Sequence, residues 1–122
     1  MILIVCDAYE PSVDDVTDWL KHKGFNFLRI NTNDLIDSLE IEISGDAGNR
    51  TSINCSGETI EFSKITSYWY KRGMLKVRHE SLTKRENNFA AIINDQVSWE
   101  LYGVEHYLNA KLKGIPHIGS FF

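Results

Sequence analysis

At 122 residues, with 43% hydrophobic and 25% charged positions, the chain reads as one ordinary globular domain, which excludes global disorder. A formal net charge of −4 argues against nucleic acid as a partner, and no apolar run approaches the roughly eighteen residues that cross a membrane. The opening MILIVC is too short and lacks the basic lead of a signal peptide, so a cytoplasmic location is expected, and two cysteines outside any CxxC with four scattered histidines exclude a zinc site or disulfide framework.

Ile2 to Val5 predicts a strand buried on both faces. A periodic segment follows, with Val13, Val16, Trp19 and Leu20 on one stripe and Asp14, Asp15 and Asp18 opposite. It predicts an amphipathic helix with Ser12 as its cap and Gly24 closing it. Phe25 to Ile30 predicts a second strand, parallel to the first across that helix. Leu39, Ile41 and Ile43 then alternate with Glu40, Glu42 and Ser44 as a half-buried strand. After a loop from Gly45 to Arg50, Thr51 to Cys55 returns antiparallel. A turn at Ser56-Gly57-Glu58 leads to a short strand at Thr59 to Phe62. Ile65 to Tyr70 resumes the strand signal and ends in SYWYKRG.

The longest periodic segment links Phe89, Ile93, Val97, Leu101, Val104, Leu108 and Leu112, at steps of three and four. It predicts helix from about Asn87 to Lys113, about 40 Å long. A compact chain of this size has a radius of gyration of only about 14 Å. Either two helices meet at Gly103, or one end projects and packs on something else. Gly114-Ile115-Pro116 ends the helix, and His117-Ile118-Gly119 starts a last strand. The apolar Phe121-Phe122 terminus reads as a cut chain.

Residues that carry chemistry are few. The turn after the first strand, Asp7 to Ser12, holds two carboxylates and no glycine, unlike a phosphate cradle. GDAGN at Gly45 to Asn49 lies in a hairpin with no helix behind it. A phosphoacceptor receiver domain needs an aspartate where Tyr70-Lys71-Arg72 stands, and no nucleophile has a base in reach. The chain alone is therefore expected to catalyse nothing.

The distribution of charge says more than its sum. Lys71, Arg72, Lys76, Arg78, Lys84 and Arg85 fall together with Glu80 as the only acid among them. A local positive field suits an anionic partner, unless those cations face acids elsewhere. In SYWYKRG, Tyr68 and Tyr70 share one face of a strand, and Ser67, Trp69 and Lys71 the other. Parallel sheets bind ligands beyond the carboxyl ends of their strands. Lys71 and Arg72 would stand there, beside Asp7, Asn31 and Asn33. Arg72 carries a fork suited to carboxylate or phosphate; alternatively it pairs with Asp7 or Glu10 for structure alone.

MILIVCDAYEPSVDDVTDWL, FNFLRINTND, SYWYKRG and GIPHIGSFF, in that order and spacing, resemble the N-terminal region of ATP-grasp ribosomal-peptide maturases, particularly the grasp-with-spasm branch. The likeness covers most of the chain; Lys71 departs from a more usual arginine. The resemblance implies a pre-ATP-grasp domain spanning residues 1–122. Its fold would be α/β, a small Rossmann-like, mainly parallel sheet with an antiparallel hairpin or meander insertion and a long C-terminal helix. It also implies a longer parent that uses ATP and magnesium to activate side-chain carboxylates of a precursor peptide and form ester or amide crosslinks. Those elements would lie beyond Phe122, so no residue here inherits a cofactor, metal or catalytic role. The expected partners are the ATP-grasp domain of the same polypeptide and an acidic precursor peptide, which Asp7, Trp69, Lys71, Arg72 and Arg78 would contact. A stand-alone binding or dimerisation module built on the long helix is the alternative.

Overall fold

The structure, a computed structural model, describes residues 1–45, 48–79 and 88–119. Lys84 and Arg85 of the expected basic run, Asn87 at the helix start, part of GDAGN and the terminal Ser120 to Phe122 lie outside the described residues.

Chain order is β1 (Ile2–Cys6), α1 (Pro11–His22), β2 (Phe27–Asn31), β3 (Ile36–Ser44), β4 (Gly48–Cys55), β5 (Glu58–Glu61), a 3-10 turn at Phe62–Lys64, β6 (Ser67–Tyr70), α2 (Asn88–Lys113) and β7 (His117–Ile118). Strands β2-β1-β6-β7 form one sheet, and β3-β4-β5 form a second. Every pairing in the first sheet is parallel; both in the second are antiparallel. This is the expected α/β architecture with its meander. The meander is a sheet of its own, and a parallel bridge between Ile36 and Val77 joins the start of β3 to the segment that follows β6.

The central strand explains the layering. Leu3, Ile4, Val5 and Cys6 of β1 are all fully buried, because consecutive side chains point to opposite faces and both faces are covered. On one face Leu3, Val5, Ile30 and Tyr68 join Ile53 and Ile60 of the second sheet and Leu108 and Leu112 of α2. On the other, Ile4 and Cys6 meet Val13 and Leu20 of α1, with Trp69 packed alongside. The aromatic alternation in SYWYKRG is thus realised as expected, with Tyr70 against the first cluster and Trp69 against the second.

Helix α1 departs from its predicted stripe. Its buried residues are Val13, Thr17 and Leu20, while Val16 and Trp19 are exposed. Trp19 stacks on Phe25 at the surface instead, with ring centroids 6.2 Å apart. Nor is Ser12 the cap. Proline is preorganised for the first helical position, so Pro11 starts the helix and Glu10 sits before it without a side-chain cap bond. Gly24 does close the helix, at φ 73°.

The β4–β5 connection has the expected two-residue form. Cys55 pairs with Glu58, and both Ser56 and Gly57 have positive φ, which matches the twist of a tight hairpin. The alternation along β3 carries less burial than predicted. Leu39 packs on the core, but Ile41 and Ile43 are exposed, no described residue covering them.

Helix α2 is continuous through Gly103 for 26 residues, about 39 Å at 1.5 Å per residue. Two helices meeting at Gly103 is therefore not what forms. Its buried residues, among those described, are Leu108, Asn109 and Leu112, all in the last two turns. Val104 and Tyr107 add to that anchor, Tyr107 lies 3.4 Å from the Thr51 hydroxyl, and Glu105 accepts from the Val77 amide at 3.0 Å. Ahead of that anchor the same stripe, Ile93, Val97 and Leu101, is half-buried.

Candidate functional site

The order β2-β1-β6-β7 means that the connections leaving β1 and β6 diverge. The one after β1 enters α1 on one face; the one after β6 leads to α2 on the other. Such a switch point opens a crevice at the carboxyl ends of the two strands. Asp7 follows β1 there, and Lys71 and Arg72 follow β6. The backbone continues the ladder to that edge, where the Lys71 amide donates to the Val5 carbonyl at 2.9 Å and the Thr32 amide to Cys6 at 3.0 Å.

Side chains then fasten the three strand ends together. Thr32 Oγ1 donates to Asp7 Oδ1 at 2.8 Å. Gly73 lies against that pair with φ 81°, and a Cβ built on it would overlap Thr32 Oγ1 and sit 3.2 Å from Asp7 Oδ1. The glycine of SYWYKRG is required twice over, for its backbone angle and for this close approach. Tyr70 turns its hydroxyl back to the Gly73 carbonyl at 2.6 Å. Burial, then the nearby Asp7 charge, raises its pKa, so it stays a neutral donor.

Arg72 Nε lies 3.3 Å from Glu10 Oε1, with the Glu10 side chain 10% exposed and the Arg72 side chain 67% exposed. The internal pairing foreseen as an alternative is therefore present. It engages one of the five guanidinium N–H donors and leaves the side chain largely in solvent. Asn31 is used within the fold, its Oδ1 accepting from Arg29 Nε at 2.8 Å and from Cys6 Sγ at 3.4 Å. Arg29 also pairs with Asp14 on α1, and this bond is the main cause of its raised pKa.

Of the five residues proposed from sequence, Asp7, Lys71 and Arg72 meet at this edge. Trp69 lies on the α1 side, where it lines an apolar groove of about 400 Å³ with Val16, Leu20 and Ile118. Arg78 is held at the second sheet, where its Nε donates to Asp37 Oδ1 at 2.6 Å. With Arg72 and Arg78 both paired, the cluster is less positive than its sequence suggests. Lys71 and Lys76 remain exposed and form no ion pair with a described residue. Thr32, Tyr70 and Gly73 complete the edge, and of these only the glycine after a basic pair carried a signal.

Asp7 faces Thr32, and Glu10 faces Arg72. Among the described residues no group of three or more His, Cys, Asp or Glu is placed to hold an ion.

No protein-family model matches the sequence, and no curated protein matches it either. Solved structures do. The macrocyclase MdnC from Microcystis aeruginosa MRC, bound with precursor peptide MdnA, superposes at a TM-score of 0.62 and 11% identity over 99% of this chain. The macrocyclase MdnB from the same organism gives 0.63 and 15% over 98%. A RiPP-associated ATP-grasp ligase of Chryseobacterium gregarium, in complex with ADP and a leader and core peptide, gives 0.62 and 19% over 98%. The chain has the fold of a segment of these enzymes. It spans 37% of the length of each macrocyclase and 34% of the ligase.

Proposed function

We propose that this chain is the pre-ATP-grasp domain of an ATP-dependent peptide maturase, a cytoplasmic ligase that forms ester or amide crosslinks between side chains of a precursor peptide. The observation that carries the reading is the fold likeness over 98–99% of the chain to segments of two macrocyclases and a RiPP-associated ATP-grasp ligase, two of the three in complex with peptide. ATP and magnesium belong to another part of the parent polypeptide, against which this domain packs. The domain supplies one wall of the peptide cleft and no reacting group.

Within that wall, Lys71 and Arg72 receive carboxylates of the peptide. Glu10 fixes Arg72 from behind through Nε, so that the outer edge of the guanidinium faces solvent already oriented for a second carboxylate. Lys71 adds a point charge beside it, Asp7 and Thr32 hold the strand ends together beneath, and Arg78 and Trp69 extend the contact surface on either side.

The test is calorimetric titration of the chain with a glutamate-rich peptide, at low and at physiological salt. Arg72→Ala and Lys71→Ala should each weaken binding several-fold with an unchanged circular dichroism spectrum, and salt should weaken the parent further. Affinity that neither substitution nor salt alters would remove the assignment.

A further inference from the structure

One face of the parallel sheet is only half covered. Helix α1 joins β1 to β2 and lies over that half, with Val13 and Leu20 seated on Ile4 and Cys6. A helix about 10 Å across covers roughly two strands spaced about 4.8 Å apart, and this sheet has four. Over β6 and β7 the described residues leave the sheet open. Trp69 is half-buried there, and Ile118 is 72% exposed. The register sets Ile4, Trp69 and Ile118 side by side on three neighbouring strands, so all three point to the same face. Val16 and Leu20 of α1 form the opposite wall of the resulting groove, whose volume is about 400 Å³. That lies within the range of about 300–1,000 Å³ typical of ligand sites.

The groove ends in charge. Lys71 follows Trp69 by two residues, and its amide still bonds to the Val5 carbonyl at 2.9 Å. Its side chain therefore leaves the same face one repeat further along β6, about 6.6 Å away at about 3.3 Å per residue. Helix α1 begins at that end too, with Glu10 holding Arg72 at 3.3 Å. An apolar trough thus opens onto two exposed cations.

We infer that the groove selects a bulky apolar side chain of the precursor peptide, set two residues from an acidic one. This rests on the peptide reading above and deepens it: charge alone would accept any acidic chain, whereas the groove chooses among them. The apolar side chain lies between Trp69 and Val16, and the carboxylate two positions on reaches Lys71 and the outer edge of Arg72. An extended chain returns a side chain to the same side every two residues, about 6.6 Å apart. Trp69 and Lys71 have that same separation. The matching repeat favours a peptide over a fatty acid, whose tail and carboxylate carry no such spacing.

Chemical-shift titrations with short glycine-serine peptides, each bearing one motif, test it. A Leu-Gly-Glu peptide should bind roughly tenfold tighter than Ala-Gly-Glu, for the extra carbons of leucine withdrawn from water, and should move the Val16 and Ile118 amide signals. Leu-Glu-Gly, which sends the two side chains to opposite sides of an extended chain, should bind as weakly as Ala-Gly-Glu. Val16→Asp and Ile118→Ser, both at exposed positions, should each bind the leucine and alanine peptides alike, with an unchanged circular dichroism spectrum. If the parent binds Leu-Gly-Glu and Ala-Gly-Glu alike while salt weakens both, the groove is overturned and the basic edge stands. If Leu-Gly-Gln binds as tightly as Leu-Gly-Glu, the basic edge fails and the inference falls with it. Decanoate binding more tightly than Leu-Gly-Glu, at the same amide signals, would assign the groove to a lipid and overturn the inference as well.

Discussion

Leu108→Ala probes what attaches the long helix to the body. Leu108 is fully buried among Leu3, Val5, Ile53 and Tyr68 of the larger core cluster. Truncation removes burial worth about 0.8 kcal/mol per methylene-sized group. It also leaves a void costing about 24 cal/mol per Å³ that the neighbours fail to refill. The two effects together give about 2–5 kcal/mol. Against a total of roughly 6–18 kcal/mol, from about 0.05–0.15 kcal/mol for each of 122 residues, this is a large fraction. At an unfolding entropy near 2.1 cal/mol/K per residue, a 3 kcal/mol loss lowers the melting temperature by about 12 °C. Urea denaturation followed by far-UV circular dichroism measures it, with Ile43→Ala as the control. Ile43 is 80% exposed, and its truncation should move stability by less than about 0.5 kcal/mol. A Leu108→Ala loss as small as that of the control would mean that α2 is not held through its last turns, and the layering derived above would be wrong.

Gly73→Ala should cost about 1–3 kcal/mol, as expected for a side chain forced to positive φ, with the added disturbance of Thr32 and Asp7; a thermal melt indistinguishable from the parent would refute the close approach. Stability should also fall at alkaline pH. Burial raises the pKa values of the Cys6 and Cys55 thiols and of the Tyr68 and Tyr70 hydroxyls, so the folded state holds these protons more tightly than the unfolded one. Their contribution is complete below the ordinary thiol value, about pH 8.5, and is lost as pH rises through the raised values. Melting temperatures should decline above about pH 9, and Cys6→Val/Cys55→Val should delay the onset toward the tyrosine range near pH 10; a rise in stability across that interval would contradict the sign.

Periodicity in the sequence located strands, helices and faces well, because the alternation of a strand or the three-and-four spacing of a helix is a local property. SYWYKRG divided its tyrosines from its tryptophan as expected, and Gly57 and Gly24 marked real turns. Periodicity does not say whether anything lies opposite a face. Val16 and Trp19 fit the α1 stripe as well as Val13 and Leu20 do, yet α1 crosses the sheet so that Thr17 takes their place in the contact. Ile41 and Ile43 alternate correctly over a stretch of sheet that no other described element covers. The site shows the same limit. That Arg72 would meet Asp7 or Glu10 was legible, since both acids follow β1 and β1 neighbours β6. The Arg78–Asp37 pair was not, because it depends on the Ile36–Val77 bridge between distant segments. Nor was the seating of Gly73 on Thr32, a contact between two loops that no spacing encodes.

The β3–β4 hairpin has a consequence for how this domain tolerates change. Its strands pair in register from Ser38 opposite Asn54 to Ser44 opposite Gly48, but beyond Leu39 and Thr51 the ladder hangs clear of the interior. Lengthening or trimming it two residues per strand would preserve which way every remaining side chain points, whereas adding a single residue to one strand would invert that strand beyond the insertion. The distal arm is thus a modular appendage, suited to carrying an epitope, a fluorophore or a surface tether while the parallel sheet beneath goes undisturbed.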